Sequence, residues 1–336
     1  MIKFALIGTG HIAHVHAKAI KRIKGAELIA VKGSDNQRTK DFAGKYNIKD
    51  YLDYDELLKN KDINAVDIVT LNNLHADLGI KAAQAGKHVL VEKPIDISLE
   101  KAENLIRTCQ KNKVKLGVIS QKRFDKSILW LKKEINSGTF GNLILGNASV
   151  KWNRTRKYFD SSQQWRKKNE ISGGGVLILQ AIHYIDLLLW LFGGAESVYG
   201  KIDTKLHDIE GEDIGLGIIK FKSGALATIS ATTTVVKNLP DILEVHGDKG
   251  SAVLTAGKYR NYVSILNLKN RIKKFKVKFY NYFVFRKGTI KDQIKNFVYS
   301  IQEEKEPLVT GIDGKNALEL VLAIYKSSKT GKEIKL

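Results

Sequence analysis

The chain has 336 residues, 43% of them hydrophobic, which is enough for a sizeable core and favours two domains over one. Its single cysteine, Cys109, excludes an internal disulfide and, without Cys or His companions at ligand spacing, gives no reason to expect a metal. The formal net charge of +21 admits a polyanion-binding function. The lysines are dispersed through almost every amphipathic segment, however, and this favours a solvated basic surface with no nucleic-acid partner.

The densest basic run, RIKKFKVKFYNYFVFRK at residues 271–287, alternates polar and apolar residues and predicts a strand with one solvated face. The opening MIKFALIGTG holds only a short apolar stretch that glycine interrupts, so it predicts neither a signal peptide nor a membrane span. No later segment is expected to reach spanning length. We therefore expect a cytoplasmic protein with no membrane partner.

From residue 2 to about residue 120, short apolar runs alternate with helical patterns. Parallel strands need crossover helices, so this rhythm predicts an α/β domain with a doubly wound parallel sheet of the Rossmann type. The predicted strands are KFALIG, AELIAVKG, AVDIVTL, HVLVEK and VKLGVIS, with helices to about Lys24, through Phe42, through Ala85 and over residues 98–111.

The rhythm changes after Gln121. A helix, SILWLKKEIN, and a strand, LILGNASVKW, precede a long polar loop and a glycine-rich helix start; consecutive strands with short turns then indicate a largely antiparallel open sheet. Helical periodicity returns from about residue 291 and predicts helices that pack back on the body. The sequence thus predicts a Rossmann domain over 1–121 and an α+β substrate-binding and oligomerisation domain over 122–336.

A dinucleotide-binding fingerprint follows the first predicted strand. The hexapeptide GTGHIA at residues 8–13 has the pattern GxGxxA and opens a helix. Gly8 permits the tight turn, Gly10 lets the backbone approach a pyrophosphate, and Ala13 lets helix and strand pack closely. Because a strand precedes it and a βαβ rhythm follows, the motif predicts a nicotinamide cofactor.

The second strand ends near the place where an acidic residue usually binds the adenosine ribose. Here it runs into Lys32 and Gly33, and Asp35 lies two residues further on. Asp35 would accept from a ribose 2′-hydroxyl and repel a 2′-phosphate, whereas Ser34 and Arg38 could bind that phosphate. We favour NAD and leave NADP open. Asp35 as a plain helix N-cap is an equally available interpretation.

The run GKHVLVEKP at residues 86–94, the triplet Gly173 to Gly175 and a helical HxxD beginning at His183 resemble the Gfo/Idh/MocA oxidoreductase family. The likeness extends to TLNNLH at residues 70–75 and to the closing segment 306–332, and so covers essentially the whole chain. It implies NAD(P)-linked oxidation of a secondary alcohol on sugars, inositols or nucleotide sugars. It also implies an open-sheet domain that forms homodimers or homotetramers.

Two residues carry the implied chemistry. Lys93 follows a buried parallel strand, where open α/β sheets bind ligands, and matches the family lysine that contacts the reacting hydroxyl. His183 matches the family histidine that takes or relays the hydroxyl proton. Family members often have Asp or Asn four residues earlier, but this chain has Leu179 there, so we expect Gln180 to supply a neutral hydrogen bond instead. Asp186 is expected to be a structural partner.

The segment KWNRTRKYFDSSQQWR at residues 151–166 carries arginines and aromatic rings that suit anion contacts and stacking on a sugar or base. It is most similar to the nucleotide-sugar 3-dehydrogenase branch, which acts on UDP-linked N-acetylhexosamines or their uronic acids in cell-surface glycan synthesis. A free sugar or an inositol is the alternative substrate. A catalytically silent NAD-binding regulatory protein and a polyanion-binding protein are further alternatives, opposed by Lys93 with His183 and by the dispersed charge.

The predicted site has two overlapping sets of residues. The predicted cofactor contacts are Gly8, Gly10, His11, Ile12, Ser34, Asp35, Arg38, Thr70, Asn72, His75, Glu92, Lys93 and Gln121. The predicted substrate contacts are Lys93, Arg123, Arg154, Arg156, Tyr158, Trp165, Arg166, Gln180 and His183.

Overall fold

A computed structural model describes residues 1–256, 260–267 and 281–336. The chain divides into two compact units. The first comprises Met1–Gln121 with Thr289–Lys315, and the second comprises Lys122–Gly288 with Asn316–Leu336. The predicted second domain ran without interruption from residue 122 to the end, so the structure corrects it by assigning residues 289–315 to the first unit.

The first unit holds a six-stranded sheet in which every neighbouring pair is parallel. The strand order β3-β2-β1-β4-β5-β6 is that of a doubly wound Rossmann sheet and confirms the predicted fold class. In chain order the elements are β1 (Ile2–Ile7), α1 (His11–Ile20), β2 (Ala26–Lys32), α2 (Asn36–Tyr46), β3 (Lys49–Tyr51), α3 (Tyr54–Lys59), β4 (Ala65–Ile68), α4 (His75–Gln84), β5 (His88–Val91), α5 (Leu99–Lys111) and β6 (Leu116–Val118).

The second unit is built on a nine-stranded sheet of the described residues, ordered β14-β13-β12-β11-β7-β10-β9-β8-β15. The β7–β10 pair is parallel and the other pairs are antiparallel, which confirms the predicted largely antiparallel sheet. Its elements are α6 (Lys126–Asn136), β7 (Leu143–Lys151), α7 (Arg156–Asp160), α8 (Asn169–Ser172), α9 (Ile182–Phe192), β8 (Ala195–Asp203), β9 (Ile214–Phe221), β10 (Leu226–Thr232), β11 (Asp241–Gly247), β12 (Gly250–Ala256), β13 (Arg260–Asn267), β14 (Asn281–Arg286), most of α11 (Gly311–Thr330) and β15 (Ile334–Lys335). Helix α10 (Ile290–Gln302), which lies between β14 and α11 in the chain, belongs to the first unit.

Helix α10 explains why residues 289–315 belong to the first unit. Its apolar face contributes Ile294, Phe297 and Val298 to the core of the parallel sheet, and the Phe297 ring lies 6.5 Å from that of Phe4. Gln293 accepts a hydrogen bond from the Ser120 N–H and donates one to the Val118 carbonyl, at 2.9 and 2.7 Å. Both contacts satisfy backbone groups at the end of β6. Helix α10 therefore packs on the Rossmann sheet as part of the first unit.

Several short elements differ from the predicted pattern. The sequence interpretation omits β3, α3, β8, β13 and β15, and the predicted long polar loop before the glycine triplet contains α7, a 3₁₀ segment at Ser162–Lys167 and α8. The segments β3, α3, α7, the 3₁₀ turn and α8 have three to six residues, which is too short to show a clear hydrophobic period, whereas β8 and β13, of nine and eight residues, were missed despite their length. In the basic run at 271–287, β14 covers 281–286 and agrees with the predicted strand, whereas 271–280 lie outside the described residues.

The stretch Asn169–Phe192 corrects the expectation that no segment reaches membrane-spanning length. The stretch is long and apolar enough, with a mean hydropathy of 1.8, but 89% of its most apolar 18-residue window is buried inside the protein. One such stretch is weak evidence for a membrane span, because the core helix of a globular domain has the same composition.

Candidate active site

The carboxyl ends of β1, β4 and β5 lie side by side in the sheet of the first unit. Predicted cofactor residues follow each of them: Gly8 follows β1, Thr70 follows β4, and Glu92 with Lys93 follows β5. Sheet order reverses between β1 and β4, which is where doubly wound sheets bind their ligands. The fold therefore gathers these predicted residues at one edge.

The Gly8–Gly10 turn has the geometry that a pyrophosphate requires. Gly8 has φ +122°, and a Cβ built there would lie 2.6 Å from the carbonyl oxygen of Val69, so another residue would not fit. A Cβ on Gly10 would meet no protein atom within 4 Å. Gly10 begins α1 without a side-chain cap, and the first turn carries no acidic residue, so the N–H groups and positive dipole end are available to an anion. The turn fits a dinucleotide.

Asp35 is the N-cap of α2. Its Oδ1 accepts a hydrogen bond from the backbone N–H of Arg38 at 2.8 Å, and its Oδ2 lies 3.6 Å from the Arg38 guanidinium. The capping interpretation is thus present in the structure, and Ser34 beside it is exposed. One carboxylate oxygen therefore caps the helix and the other faces Arg38, so the two residues that were predicted to favour different cofactors form an ion pair.

His75, a predicted cofactor contact, is buried, and each of its ring nitrogens lies within hydrogen-bond distance of a backbone carbonyl oxygen. Nδ1 is 2.7 Å from the oxygen of Pro94, and Nε2 is 3.3 Å from that of Thr70. Burial lowers its pKa, against the opposing effect of these hydrogen bonds. The imidazole therefore ties the turn after β4 to the turn after β5, where it positions the backbone next to Lys93.

Glu92 is buried in a cluster that the sequence interpretation missed. Its Oε2 accepts from the Lys93 N–H at 2.9 Å, and its Oε1 lies 3.2 Å from Nε2 of His16. The other ring nitrogen of His16 lies 2.7 Å from Oδ2 of Asp67. A signal existed in the sequence, because an aspartate inside the buried strand AVDIVTL needs a partner. The structure shows that His16 is this partner.

Gln121, predicted beside the nicotinamide, ends the first segment of the first unit. Its side-chain oxygen is buried and has no hydrogen-bond partner in the described part of the chain. A buried acceptor without a partner costs free energy that a bound donor can recover. The position suits a ligand that offers an N–H or O–H group.

In the second unit, the glycine triplet lets the chain turn closely past Glu212. A Cβ on Gly175 would collide with the Glu212 carbonyl. The Glu212 carboxylate accepts from the N–H groups of Gly175 and Leu177 at 2.8 and 2.7 Å and from the Tyr325 hydroxyl at 3.0 Å. Burial raises the pKa of Glu212 to about 6 against these hydrogen bonds. This turn leads into the helix that carries His183.

His183 lies near the start of α9 and is buried. The turn before it, Leu177–Ala181, is π-helical, a feature frequent at functional sites. The predicted hydrogen bond from Gln180 to the imidazole is not the contact found here. The Gln180 amide instead donates to the Tyr158 hydroxyl at 3.0 Å, because the wider turn changes which residues lie above one another on the helix.

Arg123, a predicted substrate contact, is paired inside the second unit. It is 2% exposed, and its guanidinium donates to both oxygens of Asp186, from Nε at 2.8 Å and from the terminal nitrogen at 2.6 Å. The guanidinium also lies over the Trp190 ring. A buried bidentate pair of this kind fixes structure, so Arg123 holds α9 in place. Asp186 is the structural partner that the sequence suggested, but its partner is Arg123.

The structure brings four of the predicted substrate residues together in a ladder of alternating rings and guanidinium groups. The ladder runs from Trp152 through Arg154, Tyr158 and Arg166 to Trp165, with 4.8, 5.0, 4.5 and 4.7 Å between successive guanidinium carbons and ring centroids. The Nε atom of Arg154 is buried and has no hydrogen-bond partner among the described residues. Each guanidinium lies between two rings, and one terminal nitrogen of each donates within the chain, from Arg154 to the Asn153 carbonyl and from Arg166 to Ser161 and the Tyr158 carbonyl. The other N–H groups of the two guanidinium groups can donate to an anion.

Arg156 stands apart from this ladder. Its side chain is 87% exposed and pairs with Asp160 at 3.4 Å. It lines a separate cavity of about 260 Å³ with Phe159, Lys167 and His207. That volume is small for a sugar nucleotide, since ligand pockets usually measure roughly 300–1,000 Å³.

A second cluster that the sequence interpretation missed supports the ladder. Asp241 accepts from the Trp152 indole N–H at 2.6 Å and from the Tyr184 hydroxyl at 3.0 Å, and the Lys122 ammonium lies 3.4 Å from the same carboxylate. Burial and Asp241 raise the pKa of Tyr184. Tyr184 adjoins His183 in sequence, so Asp241 ties the first ring of the ladder to the helix that carries the histidine.

Two family models and several curated proteins match this chain over nearly its whole length. Residues 2–120 match the Gfo/Idh/MocA model described as "Oxidoreductase family, NAD-binding Rossmann fold", and residues 132–336 match its C-terminal alpha/beta domain. The chain is 27% identical to the myo-inositol 2-dehydrogenase of Thermotoga maritima (100% of this chain, 98% of that protein) and 28% identical to the NAD(+)-dependent scyllo-inositol 2-dehydrogenase of Bacillus subtilis (100% and 96%).

Solved structures also match the chain over its whole length, and two dehydrogenases among them are 28–29% identical to it. The WlbA dehydrogenase from Bordetella pertussis, in complex with NADH and UDP-GlcNAcA, has a TM-score of 0.85 and 29% identity, with 100% of this chain and 98% of that chain covered. The family models together cover almost every residue from the first strand to the last. This chain therefore belongs to the Gfo/Idh/MocA family of NAD-dependent oxidoreductases.

Proposed function

We propose that this protein oxidises a secondary hydroxyl, at C3, of a nucleotide-linked sugar such as a UDP-N-acetylhexosamine or its uronic acid. The reaction would serve cell-surface glycan synthesis in the cytoplasm. The observation that carries the substrate class is the ladder of rings and guanidinium groups, since a nucleotide sugar offers both the anionic groups and the flat or apolar faces that such a ladder binds.

Lys93 and His183 are the proposed catalytic residues. The Lys93 ammonium contacts the reacting hydroxyl and stabilises negative charge as the proton leaves its oxygen. The His183 imidazole takes that proton, or relays it to solvent. A bound NAD supplies the acceptor for the hydride that leaves the same carbon. Gly8, Gly10 and the first turn of α1 hold the pyrophosphate.

The remaining contacts follow from the same proposal. Arg154 and Arg166 bind the anionic part of the substrate, while Tyr158 and Trp165 present their faces to it. The hydrogen bond from Gln180 to Tyr158 fixes the ladder against the turn that precedes His183. The buried oxygen of Gln121 accepts from the carboxamide of the cofactor.

A free inositol is the second candidate substrate. The two inositol dehydrogenases named above match this chain over their full length, and their identity to it is close to that of the WlbA dehydrogenase. Inositols carry no phosphate or carboxylate, so they would leave Arg154 and Arg166 without an anion. The ladder therefore favours the nucleotide sugar.

The test is cofactor reduction by the purified protein with NAD and a panel of UDP-GlcNAc, UDP-GlcNAcA, glucose, myo-inositol and scyllo-inositol. We expect UDP-GlcNAcA or UDP-GlcNAc to give the highest kcat/KM, by at least tenfold. A higher kcat/KM with an inositol would overturn the nucleotide-sugar proposal and establish the alternative. NAD binding without turnover of any substrate would indicate the regulatory function, and tight binding of polyanions alone would indicate the polyanion-binding one.

A further inference from the structure

A chain of alternating charges leads through the first unit to Lys93. It begins at Asp67 on β4, continues through His16 on α1 and Glu92 after β5, and ends at the backbone N–H of Lys93. His16 and Asp67 are fully buried, and Glu92 is 8% exposed. One imidazole thus connects two carboxylates of different strands, and the second carboxylate adjoins the proposed catalytic lysine.

We propose that His16 is a positioning residue for Lys93, which it serves by holding the Glu92 carboxylate ionised and fixed beside that lysine. The proposal rests on the proposed function of Lys93. His16 itself contacts neither substrate nor cofactor in this account. It acts because the two hydrogen bonds of its ring determine where the Glu92 carboxylate lies.

The electrostatics of the cluster support a charged imidazole. Burial alone would lower the pKa of His16, but the charge and hydrogen bond of Asp67, followed by those of Glu92, outweigh it and raise the pKa to about 10. Burial would likewise raise the pKa of Glu92, but the hydrogen bond and charge of His16, with the charge of Lys93, lower it to about 2. At neutral pH a charged His16 imidazole therefore ion-pairs with an ionised Glu92 carboxylate, which adjoins Lys93.

The other charged groups of the first unit around Glu92 do not replace His16. Burial lowers the pKa of His75 and so disfavours a second cation beside Glu92. The Asp96 carboxylate accepts from the N–H groups of Ala76, Ile97 and Ser98 and carries the same sign as Glu92. Among the described residues of this unit, His16 is the cation that ion-pairs with Glu92 through its side chain.

Loss of the His16 charge is expected to lower the pKa of Lys93. Without His16 the buried carboxylates of Asp67 and Glu92 lose their shared cation, and Glu92 takes up a proton. Lys93 then loses the negative charge that favours its ammonium form, so it deprotonates at lower pH. A neighbouring opposite charge typically changes a pKa by about 1–3. If the role of His16 were purely structural, its replacement would lower the stability of the protein and leave the titration of Lys93 unchanged.

The experiment measures the ionisation of Lys93 directly, by its rate of acetylation with an amine-reactive ester over a pH series, read by peptide mass spectrometry. It compares wild type with His16→Gln, with Glu92→Gln and with His14→Gln, which alters a partly exposed imidazole on the same helix. We expect the midpoint of Lys93 to fall by at least about one pH unit in His16→Gln and Glu92→Gln and to stay unchanged in His14→Gln. Unchanged midpoints in both variants would overturn the proposal.

A second readout covers the case in which His16→Gln fails to fold. In wild-type protein with ¹⁵N-labelled histidine, the imidazole of His16 should still be doubly protonated at pH 8.5, whereas a neutral imidazole would overturn the proposal. The Glu92→Gln variant then provides the measurement of Lys93 acetylation. Neither readout needs turnover, so failure of every sugar in the substrate panel would refute the proposed function without deciding the role of His16.

Discussion

Gly10 lies where a side chain would disturb the ligand and not the protein. Its φ is −74°, an ordinary value, and a Cβ would meet no protein atom within 4 Å. We expect Gly10→Val to abolish dinucleotide binding while the unfolding midpoint stays near that of wild type. Calorimetric titration with NADH measures the binding. Gly44→Val, which adds the same side chain at another open glycine, is the control and should bind normally; unchanged affinity in Gly10→Val would contradict the site.

The carboxylate of Asp35 is the residue-scale determinant that we expect to favour NAD over NADP. Because Asp35 also caps α2, Asp35→Ala would combine a lost charge with a lost cap, worth roughly 0.5–2 kcal/mol. Asp35→Ser keeps a capping oxygen and removes the charge. It should narrow the ratio of kcat/KM for NAD to that for NADP by at least about tenfold, or 1.4 kcal/mol. A wild-type enzyme that prefers NADP tenfold would show that Ser34 and Arg38 decide the preference instead.

At the scale of elements, α7 and the 3₁₀ segment that follows it present their arginines in opposite ways. Arg166 is sandwiched between Tyr158 and Trp165, whereas Arg156 is exposed and paired with Asp160. Arg166→Met should raise the KM for a UDP-sugar at least tenfold, because a charge-assisted hydrogen bond contributes about 1.5–3 kcal/mol. Affinity for NAD should be unchanged, and steady-state kinetics measure both. Arg156→Met is the matched control, and equal effects of the two variants would contradict the ladder as the substrate contact.

The elements also show how far the sequence predicts this molecule. The strands β1, β4 and β5 and the motif residues that follow them were predicted, because hydrophobic period and glycine chemistry are local signals. The contacts between His16 and Asp67 and between Arg123 and Asp186 were not predicted, because the two residues of each pair are 51 and 63 positions apart in the sequence. Arg123 was assigned to the substrate because its sequence position follows β6, but only the fold shows that its guanidinium points to α9.

For the whole molecule we propose a homodimer or homotetramer formed through the open face of the nine-stranded sheet. Tyr199, Leu216, Ile218 and Leu226 on this face are each about half exposed, and Tyr199 lies directly opposite Ile218 in the β8–β9 pairing. A second copy with the same face would cover these apolar side chains.

Sedimentation velocity should therefore give a dimer or tetramer for wild type and a smaller species for Ile218→Lys. Leu52→Lys, at a similarly exposed apolar residue in the first unit, serves as the control and should sediment as wild type. A monomeric wild-type protein at micromolar concentration would contradict the proposed assembly.

The central claim is that Lys93 and His183 act on one hydroxyl, and single-residue kinetics on the preferred UDP-sugar test it most directly. Loss of a positioned proton-transfer group typically costs about 10² to 10⁴ in rate. We expect Lys93→Met and His183→Ala each to lose at least ~10² in kcat, with His183→Ala the milder, Gln180→Ala smaller still, and NAD affinity little changed in all three. Near-normal turnover by Lys93→Met would contradict the account and remove Lys93 from the active site.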